Sequence, residues 1–141
     1  MNRKLMLALL LMSLAGLAGA ADLDSRQKIN LPEMMKQHML GRMRDHLLAL
    51  NEIQYALANG ELDKASDIAE TRIGMSSMSL QMRQEMAPHM PKAMRKIGME
   101  MHRAASRFAM KATEGDPLPA LNSLSAVTQQ CVACHAAYRL N

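Results

Sequence analysis

Aromatic residues are almost missing from this chain: they make up 2% of its 141 residues, with no Trp, one Phe and two Tyr. Sheet-forming composition goes with them, because strands favour aromatic and β-branched side chains. Apolar residues still reach 49%, and sixteen Met, with many Ala and Leu, supply them. These are strong helix formers, so the expected fold class is all-α. Charge of one sign is also lacking. Seventeen Lys and Arg stand against thirteen Asp and Glu, scattered along the chain. That balance gives no reason to expect nucleic acid or an anionic membrane surface as partner.

Long apolar runs are absent except near the start. Arg3 and Lys4 precede a compact apolar run, Leu5 to Leu14, and the small residues Ala18-Gly19-Ala20 follow. This is the pattern of a secretory signal peptide, residues 1–20, cleaved after Ala20. The run falls short of the ~20 residues that cross a bilayer, so no membrane anchor is expected. Without Arg3 and Lys4 the basic count is 15 against 13 acids, a net charge of +2. Residues 21–141 are expected to form one soluble domain in the periplasm.

Four helical stretches are predicted. The first runs from about Leu31 to Ala58 and stops at Asn59-Gly60, with Met35, Met39, Met43, Leu47, Leu50 and Leu57 at helical spacing and Ile53 alongside. The second runs from about Glu61 to Met86, turns Leu62, Ala65, Ile68 and Ala69 inward, and softens beyond Gly74. Pro88 and Pro91 bracket a turn. The third begins near Pro91 and carries the stripe Met94, Ile97, Met101, Ala105, Phe108 and Ala112. Glu114-Gly115-Asp116-Pro117 breaks it, and Asp116 reads as the cap of the fourth. The fourth places Leu118, Leu121, Leu124, Thr128, Cys131, His135 and Tyr138 on one face. Short connections force neighbours to run opposite ways, so the expected architecture is an antiparallel up-down four-helix bundle.

Only two cysteines are present, in Cys131-Val132-Ala133-Cys134-His135. After export a lone pair would form a disulfide by default, but a following His makes this C-x-x-C-H, the haem-attachment signature. Two thiols three residues apart on a helix each add to one vinyl group, and His135 is then placed to donate a ring nitrogen to the iron as the proximal axial ligand. A thiol-disulfide redox motif normally opens a helix, where the dipole lowers the thiol pKa; this pair lies deep in the last one. Structural zinc needs two further ligands of suitable spacing, and there is no second Cys pair.

With the leader, the four-helix pattern, the C-terminal motif and the Ala136-Ala137-Tyr138-Arg139 that follows it, the chain resembles class II c-type cytochromes, the group of cytochrome c′ and its low-spin c-556 relatives. The resemblance is one of pattern over the mature chain and is close only in the last dozen residues. It implies one haem c inside the bundle, held by Cys131 and Cys134 and loaded by a cytochrome c maturation machinery, with His135 as proximal ligand. Arg139 matches a basic residue near the haem propionates; it is also simply a cation favourable at a helix C-terminus. Group members pair in many cases into a homodimer through their first two helices.

The distal ligand comes, by that resemblance, from the first helix. Counting back from Gly60 reaches Met43, preferred here over Met39, His46 and an open site, although methionine commonly serves only as core filler. A bound Met43 implies an electron carrier with a periplasmic redox partner; an open site implies a five-coordinate, cytochrome c′-like binder of nitric oxide or another diatomic gas. A third reading is copper binding, since Met86, His89, Met90 and Met94 gather around the prolines and thioethers select Cu(I). His38, His89 and His102 are expected at the surface. Gly41, Gly74 and Gly98 interrupt helical stretches at ~1 kcal/mol each relative to Ala; close helix crossing and local irregularity are the two explanations, and spacing does not choose between them. No nucleophile–base pair stands out, and no enzymatic activity is expected.

Overall fold

A computed structural model of the chain describes residues 24–140. The expected signal peptide, residues 1–20, lies outside the described residues, as does Asn141. The fold is mostly helical, 79% in total, with five α-helices and a small two-stranded sheet. The elements are β1 (Gln27–Ile29), α1 (Glu33–Ala58), α2 (Leu62–Ile68), α3 (Leu80–Met86), α4 (Lys92–Ala112), α5 (Pro117–Ala137) and β2 (Tyr138–Leu140). No helix among the described residues is long and apolar enough to cross a membrane.

Helix ends fall where local chemistry puts them. Gly60 takes the left-handed backbone, φ +73°, that stops α1. Asp116 caps α5 by accepting from the Leu118 N–H at 3.0 Å, and Pro117 occupies the first turn, where a missing N–H costs nothing. Ser79 caps α3 in the same way, from Met82 N–H.

The second predicted helix is not continuous. After Ile68 the chain makes a π-helical turn, Ala69–Ile73, then a 3₁₀ turn, Met75–Ser77, before α3 begins. Gly74 is the reason. Its backbone is extended, with ψ −175°, and a Cβ there would sit 2.8 Å from the Glu70 backbone. Only glycine permits that approach, and the helix ends against it. Arg72 in the π turn ties this segment to α1 through Asp45, at 2.5 Å, and Glu52.

The two strands are also a departure from the helical expectation. Tyr138, placed by its spacing on the last helix, instead begins β2, which pairs in parallel with β1 in the register Gln27↔Tyr138, Lys28↔Arg139, Ile29↔Leu140. The β-branched Ile29 is buried between them. This pairing secures the N-terminal segment immediately behind Cys134-His135.

The core has two parts of different composition. One end packs Ala49, Ile53 and Ala56 of α1 and Ala65 of α2 against Ala105, Phe108 and Ala112 of α4 and Ala120, Leu124 and Val127 of α5. Alanines let the helices approach closely, and Phe108 fills the centre with no exposure at all. The other end joins Ile29, Leu31, Met39, Met86 and Met94 with Met43, Met82, Met90, Cys134 and Tyr138 at its margin.

The α4 stripe runs as the spacing predicts, apart from Ile97, which is half-buried. The predicted faces of α1 and α5 hold in part, with Met39, Ile53, Leu57 and Leu124 buried. Leu47, Leu118 and Leu121 are exposed, at 71%, 67% and 49%, while His46 and Ala120 are buried. Apolarity weighted by size favours leucine, whereas close helix contact favours alanine.

Candidate functional site

Between the two core regions lies a cavity of about 970 Å³, walled by α1, α3, α4 and the last turns of α5. Nine of the sixteen methionines line it: Met39, Met43, Met78, Met82, Met86, Met90, Met94, Met99 and Met101. Cys131, Cys134 and His135 line it too. Helix geometry explains this placement, because residues 131, 134 and 135 are three and four apart and share one face.

Both cysteines are free and half-buried. The Cys131 thiol donates to the Val127 carbonyl at 3.5 Å, and Cys134 packs beside the methionine core. Burial pushes both thiols above their ordinary pKa, and for Cys134 the neighbouring Cys131 adds to the rise. A redox-active Cys pair needs the opposite shift. His135 is exposed on the helix surface, and its carbonyl accepts from Arg26 at 3.2 Å.

Arg139 does not reach the cavity wall. It stands in β2, 3.5 Å from the Asp24 carboxylate, which also holds Arg26 at 2.6 Å. Hydrogen bonding from Arg26 draws the Asp24 carboxyl down to about 2. The guanidiniums that do line the cavity are Arg42, Arg44, Arg83 and Arg95, and no Asp or Glu is among the described residues of its wall. The cavity is thus apolar in its body and basic at its margin.

On α1, Met39 is buried, Met43 is half-buried, and both line the cavity. His46, one turn beyond Met43, is 6% exposed, and neither of its ring nitrogens has a hydrogen-bond partner. Its ring plane stands nearly perpendicular to that of His102 of α4, with the centroids 6.1 Å apart. The surface position expected for His102 is corrected: it is half-buried, and its Nδ1 lies 2.5 Å from the Ile73 carbonyl. Since a carbonyl only accepts, Nδ1 carries the proton there. The interrupted second helix makes this possible, because the π turn ending at Gly74 leaves the Ile73 carbonyl free of a helical partner.

Burial is the largest cause that lowers both imidazoles, His46 to about 4, and Arg42 lowers both further. Both rings are therefore neutral at physiological pH. His38 and His89 are exposed as expected, and His89 stands apart from the cavity wall that takes Met86, Met90 and Met94. The donors of the copper reading are consequently divided. Among the described residues no three His, Cys, Asp or Glu side chains group to hold a metal ion.

Sequence reading passed over the His46–His102 pair and the arginine margin. One signal was legible: Met43-x-x-His46 and Met99-x-x-His102 repeat a spacing that puts thioether and imidazole on one helix face. No protein-family model, no curated protein and no solved structure matches this chain.

Proposed function

We propose that this chain is an exported monohaem c-type cytochrome that carries electrons in the periplasm. In this reading it is a four-helix bundle of the class II kind, in which α2, the π turn and α3 together stand where a single second helix would. The observation that supports it is the meeting of motif and cavity: Cys131, Cys134 and His135 of C-x-x-C-H all line the apolar space walled by α1, α3, α4 and α5. Haem is a flat apolar body with two carboxylates. Methionine walls suit the body, and the guanidiniums of Arg42, Arg44, Arg83 and Arg95 suit the carboxylates.

Bound haem supplies an iron that gains and loses one electron. The chain's residues do the rest. Cys131 and Cys134 would hold the haem, each thiol adding its sulfur and hydrogen across one vinyl group so that two thioethers form with no atom lost. In this reading a cytochrome c maturation machinery delivers the haem and joins it to the two half-buried thiols. His135 would ligate the iron through a ring nitrogen. Met43, which shares the methionine core's margin with Cys134, would supply a thioether as the second ligand, a donor that raises the reduction potential. Arg139, paired with Asp24, leaves the propionates to the guanidiniums on the wall.

Two measurements test this. The purified protein should show haem on a denaturing gel, and Cys131→Ala with Cys134→Ala should abolish it; haem surviving denaturation in the double variant overturns the attachment. Oxidised wild type should be low-spin, and Met43→Ala should turn it high-spin while Met39→Ala should not. A wild type already high-spin moves the reading to a gas binder.

A further inference from the structure

His46 is the one buried side chain of the described residues with both polar ring atoms unpartnered. Burying an imidazole without partners is costly, and nothing in the fold recovers that cost. His102 shows the complementary arrangement. Its Nδ1–H is held by the Ile73 carbonyl, which fixes the ring and leaves Nε2 as a bare lone pair. A metal-binding histidine is oriented in this way, with its far N–H given to a backbone carbonyl. Both rings line the same cavity, and so do Met43 and Met99, each one turn before its histidine.

We infer that His46 and His102, with the thioether of Met99, form a binding site for a single Cu(I) ion on the α1–α4 wall of the cavity. The spacing of the rings selects the ion. A metal about 2.0 Å from a ring nitrogen lies about 3.2 Å from that ring's centroid. Two rings sharing a tetrahedral ion then stand about 5.2 Å apart, and two rings in line about 6.4 Å. The observed 6.1 Å exceeds the tetrahedral value and the about 5.5 Å of a trigonal ion, so it suits near-linear Cu(I) held by the two rings with Met99 as a weaker third donor, rather than tetrahedral Zn(II). Neutral imidazoles and a soft thioether favour the same ion.

Charge agrees as well. Arg42 and Arg72 raise the local potential, and Asp45 offsets it only in part, being bound to Arg72. A monovalent ion is disfavoured less there than a divalent one. The site does not use Cys131, Cys134, His135 or Met43, so it goes beyond the haem reading and stands without it.

The test is an anaerobic competition titration of the isolated protein with Cu(I) against a chromophoric Cu(I) chelator. Cys131 and Cys134 are blocked by their haem, or by alkylation if they prove free. One Cu(I) per chain is expected, with nitrogen and sulfur neighbours in X-ray absorption. His46→Leu with His102→Leu should weaken binding at least a hundredfold, and Met99→Leu, which conserves volume, about tenfold. Met110→Leu, on the exposed face of α4, should change nothing. Failure of wild type to bind one equivalent, equal affinity in the double-histidine variant, or tighter binding of Zn(II) overturns the site. If that double variant does not fold, unchanged affinity in Met99→Leu together with the absence of a sulfur neighbour overturns it equally. Loss of haem in the Cys131→Ala, Cys134→Ala protein bears only on the cytochrome reading; retained copper binding there supports the separate site.

Discussion

Acidification between pH 6.5 and 4 should weaken the fold chiefly through His46. The unfolded chain takes up a proton on this ring near its ordinary value of 6.5, and the folded chain only near 4. Between those values unfolding is accompanied by proton uptake, so stability falls as pH falls. One proton is worth about 1.4 kcal/mol per pH unit, which sets an upper bound of about 3.4 kcal/mol over the window. The ring also borders a cavity open to solvent, and screening brings the expected loss nearer 2 kcal/mol. Burial first, and then Arg42, His102 and Arg72, hold the ring's affinity for protons down, and Asp45 opposes them. His102, also lowered, adds a contribution of the same sign.

The perturbation is His46→Leu. It removes two polar atoms that have no partner, so at neutral pH, with copper chelated, it should stabilise the protein by about 1 kcal/mol. It should also flatten the acid limb, leaving only the part due to His102. Urea unfolding followed by far-UV circular dichroism, at neutral pH and at about pH 4.5, measures both effects. Parallel pH dependences in wild type and variant would refute the reasoning, because they would mean that His46 titrates as it does in the unfolded chain.

Two glycines should respond oppositely to the same change. Gly74→Ala drives a methyl group into the Glu70 backbone and should cost about 1–3 kcal/mol, whereas Gly98→Ala meets nothing within 4 Å and should gain about 0.5–1 kcal/mol; thermal melts that order them the other way would contradict the π-turn geometry. Phe108→Ala should cost about 3–5 kcal/mol in urea unfolding, and a cost below about 1 kcal/mol would mean that Phe108 does not fill the centre of its end of the core.

Much of the helical layout was legible because its punctuation is local. Gly60 and the Asp116–Pro117 cap need only neighbouring residues to act, and the α4 stripe from Met94 to Ala112 declares its face by spacing alone. The motif at Cys131, Cys134 and His135 was legible for the same reason, since helix geometry brings residues three and four apart together. Gly74 was recorded as an interruption, but its effect depends on how near the Glu70 backbone comes, which spacing does not reveal. His102 looked like a surface residue among polar neighbours until the Ile73 carbonyl was brought against it from 29 positions away.

The sequence by itself determined the helical class, the order of the main helices and one helix face bearing two thiols and an imidazole, because propensity, capping and periodicity act within a few residues. Tertiary structure decided the rest. It turned α1 so that His46 rather than Leu47 is buried, gathered nine methionines and four arginines from separate helices around one cavity, and withdrew Arg139 from it to Asp24. It set the imidazoles of His46 and His102 against each other across 56 residues of chain. Those outcomes depend on how closely alanine-faced helices approach and where a broken helix leaves its last carbonyl, and both are properties of elements in contact rather than of any one stretch of chain.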